Sequence, residues 1–436
     1  MDYTQLKNEG DLHFERGEFL DALNYYDQSI ALRPQFVAAI YRKGEALFKL
    51  ERFLESASCF WSAYLFFQFR KEPLLMCGRA LEAAGFSFEA CSTFAMLRQD
   101  DIDLQSMIFY ISALIQEGRV ADAAVLLPQL ESDDSFNTNL LRGRVCHEFG
   151  LLSEAKSFLE KLLPADTDGR VADRLIGIYT GLNEFDALIN LLNKCSNSFS
   201  GIPKQADYYK AVKIALEIFH GKISIETECH KNNLRFSIID SAAYLCEQTQ
   251  GKIPLSGASQ QTFAMIKDKV MNNGVIAEFG VRNGHTINLL ATLFPHHNLY
   301  GFDSFKGIPE TWNDEPAGSY SAGGRLPKVA ANVQLIDGWF DKTLPIFTKQ
   351  NTEILALLNI DCDLYSSTKT IFDCLGERIV AGSIIIFDEY ISNPSWREDE
   401  FKAFQEWVDD NCVKYEYLVA SFYTKQVAVK ILSKGI

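Results

Sequence analysis

The sequence predicts a two-part chain: an α-helical repeat solenoid followed by a doubly wound α/β sheet of seven mostly parallel strands. Three observations carry this. Glycines recur at positions 10, 44 and 78, a spacing of 34 residues, each followed by a small residue and an aromatic at fixed offsets. From Gly274 the chain reads strand, glycine turn, helix, strand, acidic residue. Beyond that point, short apolar runs alternate with helical patterns up to the C-terminus.

Composition narrows the function classes. The 436 residues suffice for two or three domains, and 47% hydrophobic with 23% charged residues is ordinary globular composition. A net charge of −15 and a pI near 5.0 leave no basic footprint for nucleic acid. The first residues carry neither a basic nor an apolar leader pattern, and the most apolar run, Cys59 to Phe67, is far short of a membrane span. Ten cysteines lie scattered without a C-x-x-C pair. That usage fits reduced thiols in the cytoplasm and offers no zinc spacing.

Each repeat glycine is followed twelve residues later by Ala22, Ser56 or Ala90, and four further on by Tyr26, Phe60 or Phe94. Ser29, Ala63 and Leu97 come three beyond, and Pro34 ends the first unit. This resembles the tetratricopeptide repeat. Small residues let paired helices cross closely, and the aromatic is expected to fill the gap to the next hairpin. Gly143 with Ala155, and Ser112 with Ala124, continue the offset more loosely. Five or six hairpins are expected from about residue 3 to about 200. The resemblance implies a groove for a peptide or protein partner; self-association, or bracing of the C-terminal part, is the plainer use.

In the second part, Val275 to Phe279 is a buried-strand run, and Gly280 to Gly284 is the turn. An apolar helix pattern through Ile287, Leu290 and Leu293 comes next, and then Asn298 to Phe302 ending in Asp303. The pattern Glu278-x-Gly280-x-x-x-Gly284-x-Thr286 is not the G-x-G-x-x-G of a dinucleotide site. It resembles motif I of class I S-adenosylmethionine-dependent methyltransferases, whose ligand has a ribose and no phosphate. Asp303 is placed to bond the ribose hydroxyls.

Further strands are expected at 332–336, 354–360, 383–387, 415–421 and 426–431, with helices at 367–378 and 398–409 among the connections. The last two strands, joined by a few residues, must pair antiparallel, which predicts one reversed strand at the sheet edge. Acids then fall at strand ends: Asp337-Gly338, Asp361-Cys362-Asp363 and Asp388-Glu389. Ligands of such sheets bind there. Like charges gathered in one crevice need a cation or donors, unless they stay solvated and cap the next helices.

The strings DSFKGIPETW (303–312), GWFDKTLPIF (338–347), NIDCDLYSSTKT (359–370) and IIIFDEY (384–390) resemble the macrocin-type sugar O-methyltransferases over about residues 270 to 432. The resemblance implies a class I methyltransferase fold. It implies S-adenosylmethionine contacts at Glu278, Gly280, Arg282, Gly284, Asp303, Ser304, Asp337 and Gly338. It also implies magnesium held by Asp361, Asp388 and Glu389, with Asp361 catalytic and a small-molecule hydroxyl as acceptor. Where the family has consecutive aspartates this chain has Asp388-Glu389, so the third ligand is one methylene longer. His285, within the glycine turn, reads as a packing or capping residue and not as a base.

Residues 1–200 are thus expected to be the tetratricopeptide repeat domain, 201–270 a linker and helical adaptor, and 271–436 the methyltransferase domain. Breaker residues at 196–203 suggest that the part from about 205 onward folds and binds cofactor without the repeats. Two other functions fit the same layout. The repeats could present a polypeptide to a protein methyltransferase, or the whole could be a non-catalytic scaffold.

Overall fold

The computed structural model describes all residues except 68–69, 199–202, 224–235 and 436. The centre of the expected linker therefore lies outside the described residues. The chain divides into two compact units, Met1–Val145 and Cys146–Ile436.

The first unit is a run of helices in which each packs on its neighbours in the chain. They are α1 (Tyr3–Glu15), α2 (Phe19–Leu32), α3 (Val37–Lys49), α4 (Phe53–Phe66), α5 (Lys71–Ala83), α6 (Ser87–Phe94), α7 (Leu104–Gln116) and α8 (Val120–Leu126), with α9 (Phe136–Glu148) running past the boundary. Asp2 and Gln5 form a capping box that starts α1. The 34-residue glycine has a steric cause. A Cβ on Gly10 would lie 2.6 Å from the Tyr26 ring, on Gly44 2.9 Å from Phe60, and on Gly78 2.6 Å from Phe94. Each aromatic thus packs on the glycine of its own hairpin and also clusters with the helix that opens the next one, Tyr26 with Ala46, Phe60 with Cys77 and Phe94 with Met107. Only a residue without a side chain leaves room for the fully buried ring. Ser56 Oγ donates to the Gly44 carbonyl at 2.8 Å, tying the second hairpin together.

The second unit begins with α10 (Leu152–Leu162), α11 (Arg170–Gly181), α12 (Phe185–Ser198), α13 (Pro203–Phe219), α14 (Phe236–Thr249) and α15 (Ser259–Ile266). Hydrogen bonds tie these helices to one another and to the sheet region. Tyr209 donates to Asp173 at 2.8 Å, and Gln260 Nε2 donates to the His147 carbonyl at 3.1 Å. The expected division at residue 200 therefore runs inside this compact unit. From α14, Asp240 pairs with Arg397 at 2.8 Å and Tyr244 bonds Tyr417 at 3.0 Å.

The sheet comprises β1 (Val275–Phe279), β2 (Leu299–Asp303), β3 (Val333–Asp337), β4 (Leu355–Ile360), β5 (Ile384–Phe387), β6 (Lys414–Ala420) and β7 (Val427–Ser433). Between them lie α16 (His285–Leu293), α17 (Phe340–Gln350), α18 (Tyr365–Leu375) and α19 (Glu400–Asp410). The strand order is β3-β2-β1-β4-β5-β7-β6, and β1 to β5 are parallel. Strands β1, β4 and β5 are buried throughout, which explains their unbroken apolar runs.

One expectation needs correction. The reversed strand is not at the edge: β7 pairs antiparallel with both β5 and β6, and β6 is the border. Val427, Ala428, Val429 and Ile431 are buried, so β7 takes the inner place. Lys414 and Glu416 leave β6 with the charged, exposed positions that suit an edge.

Among the described residues, no helix is long and apolar enough to cross a membrane.

Candidate active site

The chain leaves β1 toward β2 on one side and returns through β4 on the other. This opens a crevice at the carboxyl ends of β1 and β4, where such sheets bind ligands. Backbone hydrogen bonds continue one residue past the strands. Asp361 N donates to the Phe279 carbonyl, Gly280 N to Phe302 and Asp388 N to Ile360, each at 2.9 Å. The strand-end acids are thereby fixed side by side.

A cavity of about 840 Å³ occupies the crevice, large enough for a nucleoside together with a second small molecule. It brings together Gly280, Arg282, Asp303, Ser304, Gly338, Asp361, Asp388 and Glu389. Three of the expected cofactor residues do not line it. Glu278 is buried beneath the turn, where Thr286 Oγ1 donates to it at 2.7 Å. Gly284 precedes α16 in left-handed backbone with Pro327 against it. Asp337 ends β3 exposed, in register with Asp303, and it is the next residue, Gly338, that faces the cavity.

Asp303 organises the glycine turn. Its Oδ2 accepts the amides of Val281 at 2.8 Å and Arg282 at 2.6 Å, and its Oδ1 accepts the Phe305 amide at 2.7 Å. A carboxylate has about four acceptor positions, so capacity remains for a ligand hydroxyl. Arg282 lies over the Tyr320 ring at 5.8 Å. The connection from Asp303 to β3 is held down by Trp312, whose Nε1 donates to Asp399 at 3.0 Å, and by packing of Ile308 and Trp312 on Leu364.

The acids are concentrated on the β4–β5 side. Burial raises the carboxyl of Asp361 well above its ordinary range, and the Asp388 charge raises it further. Burial also raises Asp388, against the opposing Gln426 hydrogen bond. Asp363 is pushed up to about 7 by burial and then by Asp388. Glu389 also reaches about 7 through burial, with Lys425 pulling the other way. Lys425 Nζ lies 2.9 Å from Glu389 Oε1, and Gln426 Nε2 donates to Asp388 Oδ1 at 2.5 Å.

Several residues at the site carry no clear signal in the sequence. Glu400 is wholly buried, with its Oε2 accepting the Glu389 amide at 3.0 Å and burial raising its carboxyl. An acid in the first turn of a helix reads as a solvated dipole partner, so nothing marked it. Tyr320, Trp339 and Ser366 also line the cavity. His285 faces Glu148 at 3.3 Å, outside the residues that line the cavity.

Hard carboxylate oxygens suit magnesium, and the buried Glu389 Oε2 lacks a hydrogen-bond partner, so the donor set fits a divalent cation. The arrangement is not closed around one. Among the described residues, only His13, Glu18 and Asp21 hold three ligand atoms within 4.8 Å of one another. Glu389 is instead turned to Lys425.

Glu278 yields a pH prediction. Burial pushes its carboxyl to about 8 from an ordinary 4.5, against the Thr286 and Asn359 hydrogen bonds. A raised carboxyl contributes stability that is full below about 4.5 and lost as pH rises through about 8. Glu278→Gln keeps an acceptor for Thr286 and cannot ionise. Its melting temperature should therefore fall by several degrees less than the parent's between pH 6 and pH 8.5. Equal falls in thermal unfolding scans would place the pH dependence elsewhere.

A family model for macrocin O-methyltransferases (TylF) matches residues 324–416. Demethyldecarbamoylnovobiocin O-methyltransferase of Streptomyces niveus is 30% identical over 166 residues, covering 32% of this chain and 62% of that protein. The 8-demethyl-8-(2,3-dimethoxy-alpha-L-rhamnosyl)-tetracenomycin-C 4'-O-methyltransferase of Streptomyces olivaceus is 32% identical over 141 residues, covering 27% of this chain and 53% of that protein. The chain thus spans 62% and 53% of the lengths of these two relatives. Among solved structures, the calicheamicin methyltransferase CalS11 aligns at 22% identity over 47% of this chain and 86% of its own, with a TM-score of 0.30. Residues 324–416, which hold the acids at the ends of β3, β4 and β5, are thus similar to the macrocin O-methyltransferases.

Proposed function

We propose that the protein is an S-adenosylmethionine-dependent O-methyltransferase acting on a hydroxyl of a sugar or similarly polyhydroxylated small molecule. One observation carries the reading: a single cavity joins the Gly280 turn and Asp303 to the acids Asp361, Asp388 and Glu389. The two Streptomyces relatives, both O-methyltransferases, support the same chemistry.

S-Adenosylmethionine supplies an electrophilic methyl group and leaves as the homocysteine thioether. On the β1–β2 side, the Asp303-braced turn, Ser304 and Gly338 bind the nucleoside. On the β4–β5 side, the acids take the acceptor. A sugar hydroxyl is a weak nucleophile at neutral pH and gains from losing its proton as it attacks. The Asp361 carboxylate, in the same cavity at the end of β4, accepts that proton. Magnesium, held by Asp361, Asp388 and Glu389, would supply Lewis acidity to the acceptor oxygens.

By function the chain divides into a tetratricopeptide repeat domain (1–200), an adaptor (201–270) and the methyltransferase domain (271–436), all in the cytoplasm. The repeats present a groove for a peptide, a protein or a second copy. The pairing of α14 with Arg397 and Tyr417 supports the adaptor role.

Incubation with methyl-labelled cofactor and a panel of glycosides and sugar nucleotides tests the proposal. Label should pass to a hydroxyl of the small acceptor. Label on polypeptide would favour the protein methyltransferase. Cofactor binding with no transfer to either class would favour the scaffold.

A further inference from the structure

The turn between β6 and β7 lies beside the acid pair, because β7 is the neighbour of β5 with Val427 opposite Phe387, and it supplies both acids with donors. Gln426 Nε2 donates to Asp388 Oδ1 at 2.5 Å and to Ser259 Oγ at 2.9 Å. Its Oε1 accepts from Thr262 at 3.2 Å and Thr424 at 3.3 Å, so this buried amide is fixed on every side. Lys425 differs. Its ammonium lies 2.9 Å from Glu389 Oε1, yet its side chain is 39% exposed, against 13% for Glu389. The lysine can swing into water, while the carboxylate has little freedom to leave.

The backbone around the pair is also held. The Glu389 amide donates to Glu400 at 3.0 Å, and Asn393 Nδ2 donates to the Glu389 carbonyl at 2.7 Å. Lys425 itself sits at φ +62°, a left-handed conformation uncommon for a residue with a side chain. Its carbonyl accepts the Ile391 amide at 3.4 Å, tying the turn to the loop after Glu389.

Only Oε2 of Glu389 is without a partner, so a divalent ion that draws on the whole carboxylate competes with the ammonium on Oε1. We infer that Lys425 is the resident counter-cation of Glu389, which a divalent metal must displace to gain its third carboxylate. This rests on the metal reading of the acid cluster. Lys425 then sets how tightly the site holds metal. The extra methylene of Glu389 extends its carboxylate toward the β6–β7 turn, where the lysine meets it.

The test is calorimetric titration of magnesium chloride into the chelator-treated protein, its Lys425→Met variant and its Lys425→Arg variant, each as the whole chain. Lys425→Met should bind magnesium about tenfold more tightly than the parent, the loss of one competing partly exposed charge. Lys425→Arg keeps the charge and should stay close to the parent. Thermal unfolding provides a second readout. Without metal Lys425→Met should melt below the parent, and saturating magnesium should raise it by more than it raises the parent. Equal or weaker magnesium affinity in Lys425→Met would overturn the displacement and leave the metal site standing. Absence of binding in all three proteins would overturn the displacement and the metal reading together.

Discussion

Gly280→Ala is expected to abolish cofactor binding and to lower the melting temperature. Gly280 has φ +98°, and a Cβ there would lie 1.8 Å from the Asp361 carbonyl oxygen and 2.8 Å from its carbon. Both atoms are backbone at the end of a buried strand, so neither can turn aside. Left-handed backbone alone costs a side-chain-bearing residue about 1–2 kcal/mol. Forcing the strand ends apart adds roughly 1–3 kcal/mol. The relaxation that relieves the clash also moves the amides of Val281 and Arg282 away from Asp303. Calorimetry with S-adenosylhomocysteine and a thermal melt measure the two effects. Parent-like affinity in Gly280→Ala would remove the turn from the binding site.

Asp361→Asn should reduce methyl transfer by at least about 10²-fold while leaving cofactor affinity close to the parent's. The amide keeps the shape of the side chain but loses the proton acceptor and the anionic ligand. The proposed cofactor contacts lie on the β1–β2 side, so they should be spared. Fold stability should not suffer, since Asp361 is buried beside Asp388 and Asp363 and its charge is disfavoured there. Treatment of the parent with EDTA should likewise abolish transfer and spare cofactor binding. Initial rates and calorimetric affinities on the same preparations separate the two readouts. Undiminished turnover of Asp361→Asn would move the base elsewhere. Undiminished turnover in EDTA would reduce the acid cluster to a charge pattern served by Lys425 and Gln426.

The parts of this fold that were legible from sequence are those set by local rules. β1 was placed at its observed limits, because a strand buried on both faces must be apolar at nearly every position. The repeat glycines were legible because one close approach recurs with one period, although which ring they meet was not. The place of β7 depended on a competition between two strands for one inner position, and no turn signal reports that. Glu400 and Lys425 were missed for a related reason. Each reaches the acid pair from a separate element, α19 and the β6–β7 turn, and each alone looks like a solvated charge. The helix expected at 398–409 is α19, which buries Phe404, Trp407 and Val408. Asp303 is expected at the ribose; what the structure shows of it is that it holds the turn amides.

The central claim is that this crevice binds the nucleoside of S-adenosylmethionine between the Gly280 turn and Asp303. Titration of S-adenosylhomocysteine into the protein and into its Asp303→Ala variant measures it directly. The parent should bind at one site per chain. Asp303→Ala leaves the turn amides and ribose hydroxyls without their acceptor and should bind at least about tenfold more weakly, given roughly 1–3 kcal/mol per lost partner. Equal binding by the two proteins, or no binding by the parent, would contradict the claim.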